Sequence, residues 1–169
     1  MPTMSRAFVK EDAQSTEAVI PPPTREHPNY VTPAGMAAWQ GRADELAVEL
    51  AAAASAAESD LARAAEQEAL LREFRSLEAL IETAIVVPPP SAPTDEVHFG
   101  AWVMFSDDEN ASRRVHIVGA DEAEIEHGEV SWISPLGRAL LGKRPGDVSL
   151  WERPDGNTEI EILAVSYTP

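Results

Sequence analysis

Apolar and small residues recur at Met36, Trp39, Ala43, Leu46, Leu50, Ala53 and Ala57, and again at Leu70, Phe74, Leu77, Ile81 and Ala84. Steps of three and four place each set on one face of a helix. Thr32-Pro33 supplies an N-cap followed by proline at the first helical position, and Pro88-Pro89-Pro90 ends the pattern after about Ile85. A single helix over that span would be about 80 Å long and would have nothing to cover its stripe. The pattern therefore predicts an antiparallel hairpin of two helices, a coiled coil, over residues 33–87. Its fold-back falls around Ala56 to Asp60, where the stripe fades and Ser55 and Ser59 interrupt it. Each arm would reach on the order of 35–40 Å. Alanine at the seam lets the helices approach closely but buries little area, so the distal end is expected to be the least stable part.

From about Val97 the period shortens. Strands are predicted at Phe99–Phe105, Arg113–Val118, Glu129–Ile133, Val148–Arg153 and Glu159–Ser166. Asp107-Asp108-Glu109-Asn110 separates the first two, and Asp155-Gly156 is a hairpin signal between the last two. Between the third and fourth lies Ile133 to Asp147. There Ser134 can cap a short helix, Pro135 suits its first position, and Leu136, Ala139 and Leu140 face inward until Gly142 stops it. Pro145-Gly146-Asp147 then turns the chain into the next strand. The expected fold class is α+β: a helical hairpin followed, at residues 97–169, by a twisted antiparallel sheet with one short helix against it. Trp102, Trp132 and Trp151 are read as residues that pack the sheet.

Composition sharpens this division. Of 169 residues 44% are apolar, but alanine supplies much of that in the first half, while aromatic and β-branched residues gather after position 97. The core is therefore expected in the C-terminal part. Residues 88–96 read as a proline-rich linker. Residues 1–32 read as an extended or disordered extension, with Pro21-Pro22-Pro23 and Pro28, in which Arg6-Ala7-Phe8-Val9-Lys10 alternates enough to add to a sheet edge.

Charge limits the partners. A net charge of −16, from 29 acids against 13 bases, repels phosphate, so tight direct binding of nucleic acid is not expected. A basic cleft in a protein partner is the more natural target. The chain has no cysteine, which excludes disulfides, thiolate metal sites and thiol nucleophiles. No apolar run is long enough to span a bilayer and no signal-peptide pattern is present, so a cytosolic monomer is expected. His27, His98, His116 and His127 lack metal-site spacing and have no nucleophile signature beside them. No cofactor and no catalytic residue are expected.

The order of parts then becomes informative: a helical hairpin, a linker, Phe99-Gly100-Ala101-Trp102-Val103, Ile117-Val118-Gly119 with Asp121-Glu122, Ile133-Ser134-Pro135, Arg138-Ala139-Leu140-Leu141 and Gly146-Asp147. This resembles the bacterial GreA/GreB transcription elongation factor family, which includes a relative that regulates nucleoside diphosphate kinase. The likeness covers residues 97–169 by motif and the hairpin by architecture. It implies an FKBP-like C-terminal domain without isomerase chemistry. That domain would dock on RNA polymerase near its secondary channel, through Ile133, Ser134 and Pro135, and the coiled coil would enter the channel. In cleavage-stimulating members an acidic pair at the tip helps the polymerase hold its second Mg²⁺, a hard ion that needs oxygen ligands.

Three departures from the family pattern bear on activity. Cleavage-stimulating tips carry a Gly-Asp-x-Ser-Glu-Asn-Ala-like loop, and nothing of that form occurs between residues 33 and 87. The nearest acids at the fold-back are Glu58 and Asp60, which can equally charge the start of the second helix. The hairpin also reads as shorter than in those members. Gre factors usually place Asp or Asn before Ser-Pro, whereas Ile133 stands here, as in the nucleoside diphosphate kinase regulator branch. The leading expectation is a polymerase-binding regulator of elongation without efficient cleavage stimulation. The alternatives are a cleavage-stimulating factor using Glu58 and Asp60, a regulator of another partner such as nucleoside diphosphate kinase, and an independent prolyl isomerase.

Overall fold

A computed structural model describes residues 26–56, 61–108 and 111–168. The elements in chain order are β1 (Tyr30–Val31), α1 (Pro33–Ala56), α2 (Leu61–Thr83), β2 (Ile85–Val86), β3 (Trp102–Asp107), β4 (Ser112–Val118), β5 (Glu129–Ser131), α3 (Pro135–Leu140), β6 (Val148–Trp151) and β7 (Thr158–Ser166). The two long helices pack on each other, and their half-buried and buried positions include Met36, Trp39, Ala43, Leu46, Leu50 and Ala53 on α1 and Leu70, Phe74, Leu77 and Ile81 on α2. Only Leu46 of these is fully enclosed. Small alanine side chains leave the seam thinly covered, so the hairpin is held by contact along its length more than by a core. Arg42 adds a bridge across it, with Nε donating to Glu73 Oε1 at 3.0 Å, but both groups are exposed and the pair contributes little.

The sheet runs in the order β5-β4-β3-β7-β6. Val103, Phe105, Val115, Ile117, Ile160 and Ile162 alternate onto one face, where α3 covers them with Leu136, Ala139 and Leu140. Trp151 meets Phe105 edge-on at 6.4 Å. The sheet is mixed, which corrects the expected antiparallel arrangement: β5 runs parallel to β4, with His116 opposite Glu129 and Val118 opposite Ser131. Residues 119–128, with a 3-10 turn at Ile125–His127, carry the chain back to the starting end of β4, so a hairpin pairing is impossible. The first strand also begins later than expected. Gly100 adopts φ 81°, a left-handed conformation that breaks the extended run, and its N–H donates to Ile117 O at 2.8 Å.

Trp102 packs on the sheet as expected, and does so on the open face, opposite the core. It stacks on His116 at 4.4 Å with an interplanar angle of 4°, while the Arg114 guanidinium sits 4.4 Å from its centroid. Trp132 packs against the core as expected and also meets Tyr30 at 5.2 Å, at the base of the hairpin.

That base corrects a further expectation. Sequence pattern assigned residues 1–32 to an extension, yet Asn29 to Thr32 are built into the hairpin. Asn29 Nδ2 donates to Leu80 O at 2.9 Å and Thr83 Oγ1 at 3.1 Å, and β1 pairs with β2 in parallel. Two residues of strand are too few for alternation to reveal. Residues 1–25, including Arg6 to Lys10, lie outside the described residues.

A single carboxylate joins the hairpin to the sheet domain. Glu122 Oε2 accepts from Thr32 N at 3.0 Å and Gly119 N at 3.1 Å, and Oε1 accepts from the Thr32 hydroxyl. Thr32 Oγ1 in turn accepts from Gly35 N at 2.9 Å, which is the N-cap of α1. Side chains are excluded around this group. A Cβ on Gly35 would fall 2.2 Å from Glu122 Oε1, and one on Gly119 would fall 2.1 Å from Tyr30 O.

Two outcomes follow for stability. Glu122→Ala strands three donors and is expected to cost about 2 kcal/mol or more, while Gly119→Ala forces backbone apart at a cost of roughly 1–3 kcal/mol. Denaturant unfolding measures both, and amide exchange at Thr32, Gly35 and Gly119 should accelerate selectively. His116 gives a pH signature. Burial lowers its pKa below 6.5, with Arg114 acting the same way and Glu122 and Glu129 opposing. A lowered folded pKa means the neutral form is favoured in the fold, so its contribution is complete above the unfolded pKa and disappears as pH falls through the folded value. His116→Phe should keep the stack and lose less stability than wild type between pH 7.5 and 5, as read by melting temperature against pH.

Candidate functional site: a capped turn beside the hairpin base

The residues expected to dock, Ile133, Ser134 and Pro135, form the turn between β5 and α3. Ser134 has extended backbone, φ −66° and ψ 159°, and its Oγ accepts from Gly137 N at 3.0 Å. Proline follows because the N–H it lacks would have no helical partner there. Leu136, Ala139 and Leu140 fill the core as their spacing implied. Leu141 N closes the last turn on Gly137 O at 3.0 Å, and Gly142, at φ 74°, turns away and donates to Val97 O at 2.8 Å. Val97 N donates back to Lys143 O at 2.8 Å. The end of the proline-rich linker is thereby tied to the end of α3, and Tyr167 Oη adds a bond to Glu96 O at 2.6 Å.

The turn is held from below as firmly as from its ends. A Cβ at Gly137 would fall 2.3 Å from Ser131 O and 3.0 Å from Trp132 Cα, so α3 lies flush against the preceding segment. Trp132 N donates to Val118 O at 3.0 Å. The Trp132 ring packs on Tyr30, and Tyr30 also meets Phe99 at 6.0 Å. Ser134 is thus committed to capping as an acceptor, Ile133 is half-buried, and Pro135 is exposed. Of the three, Pro135 offers the freest surface.

On the hairpin, an apolar groove lined by Ala43, Ala47, Phe74 and Ile81 is rimmed by Asp44, Glu78 and Glu82. Such a surface suits a basic partner with some apolar area. Glu58 and Asp60 lie outside the described residues. Among the described residues no group of three His, Asp or Glu is placed to hold a metal ion, and no helix is long and apolar enough to cross a membrane. His127 pairs with Glu124 at 2.7 Å on the surface, and His27 meets the edge of Trp132 at 5.9 Å.

Two parts of this arrangement escaped the sequence reading. Glu122 was visible only as half of an acidic pair, with no sign of its bonds to Thr32. The link from Trp132 to Tyr30 likewise joins residues far apart in the chain. The Gly119 and Gly137 positions were the available signals, since glycine beside a strand or inside a helix marks close backbone approach.

A helical hairpin clamped at its base to a small mixed-sheet domain, with a rigid capped turn alongside, defines a two-part binding protein. The family model described as the C-terminal part of transcription elongation factors GreA/GreB matches residues 92–167. Transcription elongation factor GreB of Neisseria meningitidis serogroup B is 36% identical over 159 residues, covering 84% of this chain and 96% of that protein. GreA of Acidiphilium cryptum is 41% identical over 92 residues, covering 54% of this chain and 59% of its own length. Among solved structures, the GreA factor homolog 1 protein of Thermus thermophilus is 23% identical, with a TM-score of 0.39, covering 83% of this chain and 99% of that one. The chain belongs to the GreA/GreB family of transcription elongation factors.

Ser134→Ala tests the turn directly. Loss of the cap is expected to lower stability by about 1 kcal/mol, and Ser134→Asp, which can still accept from Gly137 N, should recover most of it in the same unfolding measurement.

Proposed function

We propose that this chain regulates transcription elongation by binding RNA polymerase, with the turn at Ile133, Ser134 and Pro135 as the docking end and the acidic hairpin inserted into the secondary channel. The observation that carries the reading is the coupling of those two parts. The exposed Pro135 sits on a turn whose Trp132 packs against Tyr30, and Glu122 fixes Thr32 at the first turn of α1. A partner that grips the turn therefore sets the direction of the hairpin. Family membership supports polymerase as that partner, and the acid-rimmed groove between Phe74 and Ile81 supports a basic channel wall as the hairpin's surroundings.

On this reading the protein contributes no complete active site. Transcript cleavage is not efficiently stimulated, because the chain lacks the acidic loop of cleavage-stimulating tips and offers only Glu58 and Asp60 near the fold-back.

The test uses the intact chain and bacterial RNA polymerase. Wild type should bind, and Ser134→Ala with Pro135→Ala should weaken binding by about tenfold, equivalent to 1.4 kcal/mol, with thermal unfolding run alongside to separate docking from stability. Failure of the wild-type chain to bind sinks the reading. Stalled elongation complexes address cleavage: little shortening of backtracked RNA is expected. Strong cleavage that disappears in Glu58→Ala with Asp60→Ala would replace the regulator reading with a cleavage-stimulating one.

A further inference from the structure

Resting on the polymerase-binding reading, we infer that Arg138 sets the register of docking by pairing with a carboxylate on the polymerase surface. Helix α3 buries Leu136, Gly137, Ala139 and Leu140 and exposes Pro135 and Arg138. Those two positions are three apart and share one face, so the outward surface of the helix is one proline and one guanidinium.

Among the described arginines, Arg138 differs from most. Arg42, Arg72, Arg113, Arg144 and Arg153 each meet a carboxylate, and Arg114 lies over the Trp102 ring. Among the described residues Arg138 takes part in no ion pair or ring contact. Arg75 on α2 shares that condition, but it stands on the open flank of the hairpin. With 29 acids against 13 bases, a surface arginine in this chain ordinarily finds an acid. An arginine kept clear of them, beside the exposed proline of a docking turn, is available to an outside acid.

The backbone beneath it is fixed. Arg138 N donates to Ser134 O at 2.9 Å, Gly137 is pressed on Ser131 and Trp132, and Leu140 is fully buried. A placed guanidinium presents a planar fork that matches a carboxylate with two parallel hydrogen bonds, and less freedom is lost when it forms them. The sign of the charge makes this a device for specificity. The protein's overall field draws it toward basic surfaces, and its own acids repel a carboxylate brought close. The acidic partner group is tolerated only where Arg138 meets it, which fixes one docking position and penalises the rest. A nucleic-acid phosphate is the other anion a guanidinium could take, and the charge of −16 opposes it.

The experiment measures affinity of the full chain for core polymerase free of nucleic acid, at two salt concentrations, for wild type, Arg138→Lys, Arg138→Ala and Arg138→Glu. Arg138→Glu should bind at least about tenfold more weakly, Arg138→Ala less severely so, and Arg138→Lys between Ala and wild type. Raising the salt should narrow the gap between wild type and Arg138→Glu. Field strength alone predicts the reverse order, because the Glu variant is more negative and would approach a basic partner more readily. Melting temperatures of all four should agree closely, and the Lys and Ala variants keep the test decisive if the Glu variant folds poorly. Unchanged affinity of the variants, with wild type binding and the Ser134/Pro135 variant weakened, overturns this inference and leaves the docking turn standing. The titration is repeated on polymerase carrying nucleic acid, and a loss that appears only there assigns Arg138 to phosphate and overturns the inference too. Absence of wild-type binding removes this inference together with the function on which it rests.

Discussion

The Glu122 carboxylate is the constraint on which the arrangement of the molecule turns. Its oxygens receive the amide and hydroxyl of Thr32 and the amide of Gly119, so one side chain spans the start of α1 and the end of β4. Hydrogen bonds to an ionised acceptor are stronger than neutral ones, and a half-buried carboxylate surrounded by donors is retained only while all of them stay in place. The close approach exists because Gly35 and Gly119 have no Cβ. Thr32 then passes the constraint onward by capping α1 through Gly35 N. The direction of a long, thinly packed hairpin is thus set within its first turn.

The two halves of the protein obtain their order differently. The sheet domain has a conventional core, with Phe105, Ile117, Leu140, Ile160 and Ile162 fully enclosed between α3 and one face of the sheet. The hairpin relies on an alanine seam in which, among the described residues, Leu46 alone is fully covered. Burial sets the free energy each region contributes, and the described part of the hairpin encloses far less apolar surface than the sheet domain. A projecting element of this kind gains from being anchored at its base by several independent contacts. Asn29 on Leu80 and Thr83, the β1–β2 pair, and Tyr30 between Trp132 and Phe99 provide them. The capped turn at Ser134 shares Trp132 with that base, which ties the turn to the hairpin.

Patterning of the chain revealed what depends on neighbours in sequence. The helix stripes, the Ser134 cap with Pro135 behind it, the inward Leu136, Ala139 and Leu140, and the Gly142 stop are all local, because 3.6-residue periodicity and unsatisfied helix-end groups act over a few residues. Charge balance pointed to a protein partner in the same way. The motifs from Phe99 to Asp147 carried the family. Where the pattern failed, the missing information was a distant partner. The strand β5 joined β4 in parallel because residues 119–128 return the chain to the starting end of β4.

Sequence by itself determined the longer elements, the sheet core and the chemical character of the surface, since each follows from side-chain volume, charge and local backbone preference. Tertiary structure alone decided how the parts face one another. Thr32 and Glu122 are 90 positions apart, Asn29 and Leu80 are 51 apart, and no local propensity encodes such a bond. The exposure of Pro135 and Arg138 on one face was latent in their spacing. That Arg138 forms no ion pair among the described residues of so acidic a chain depends on where the other carboxylates are placed, and only the folded chain fixes that.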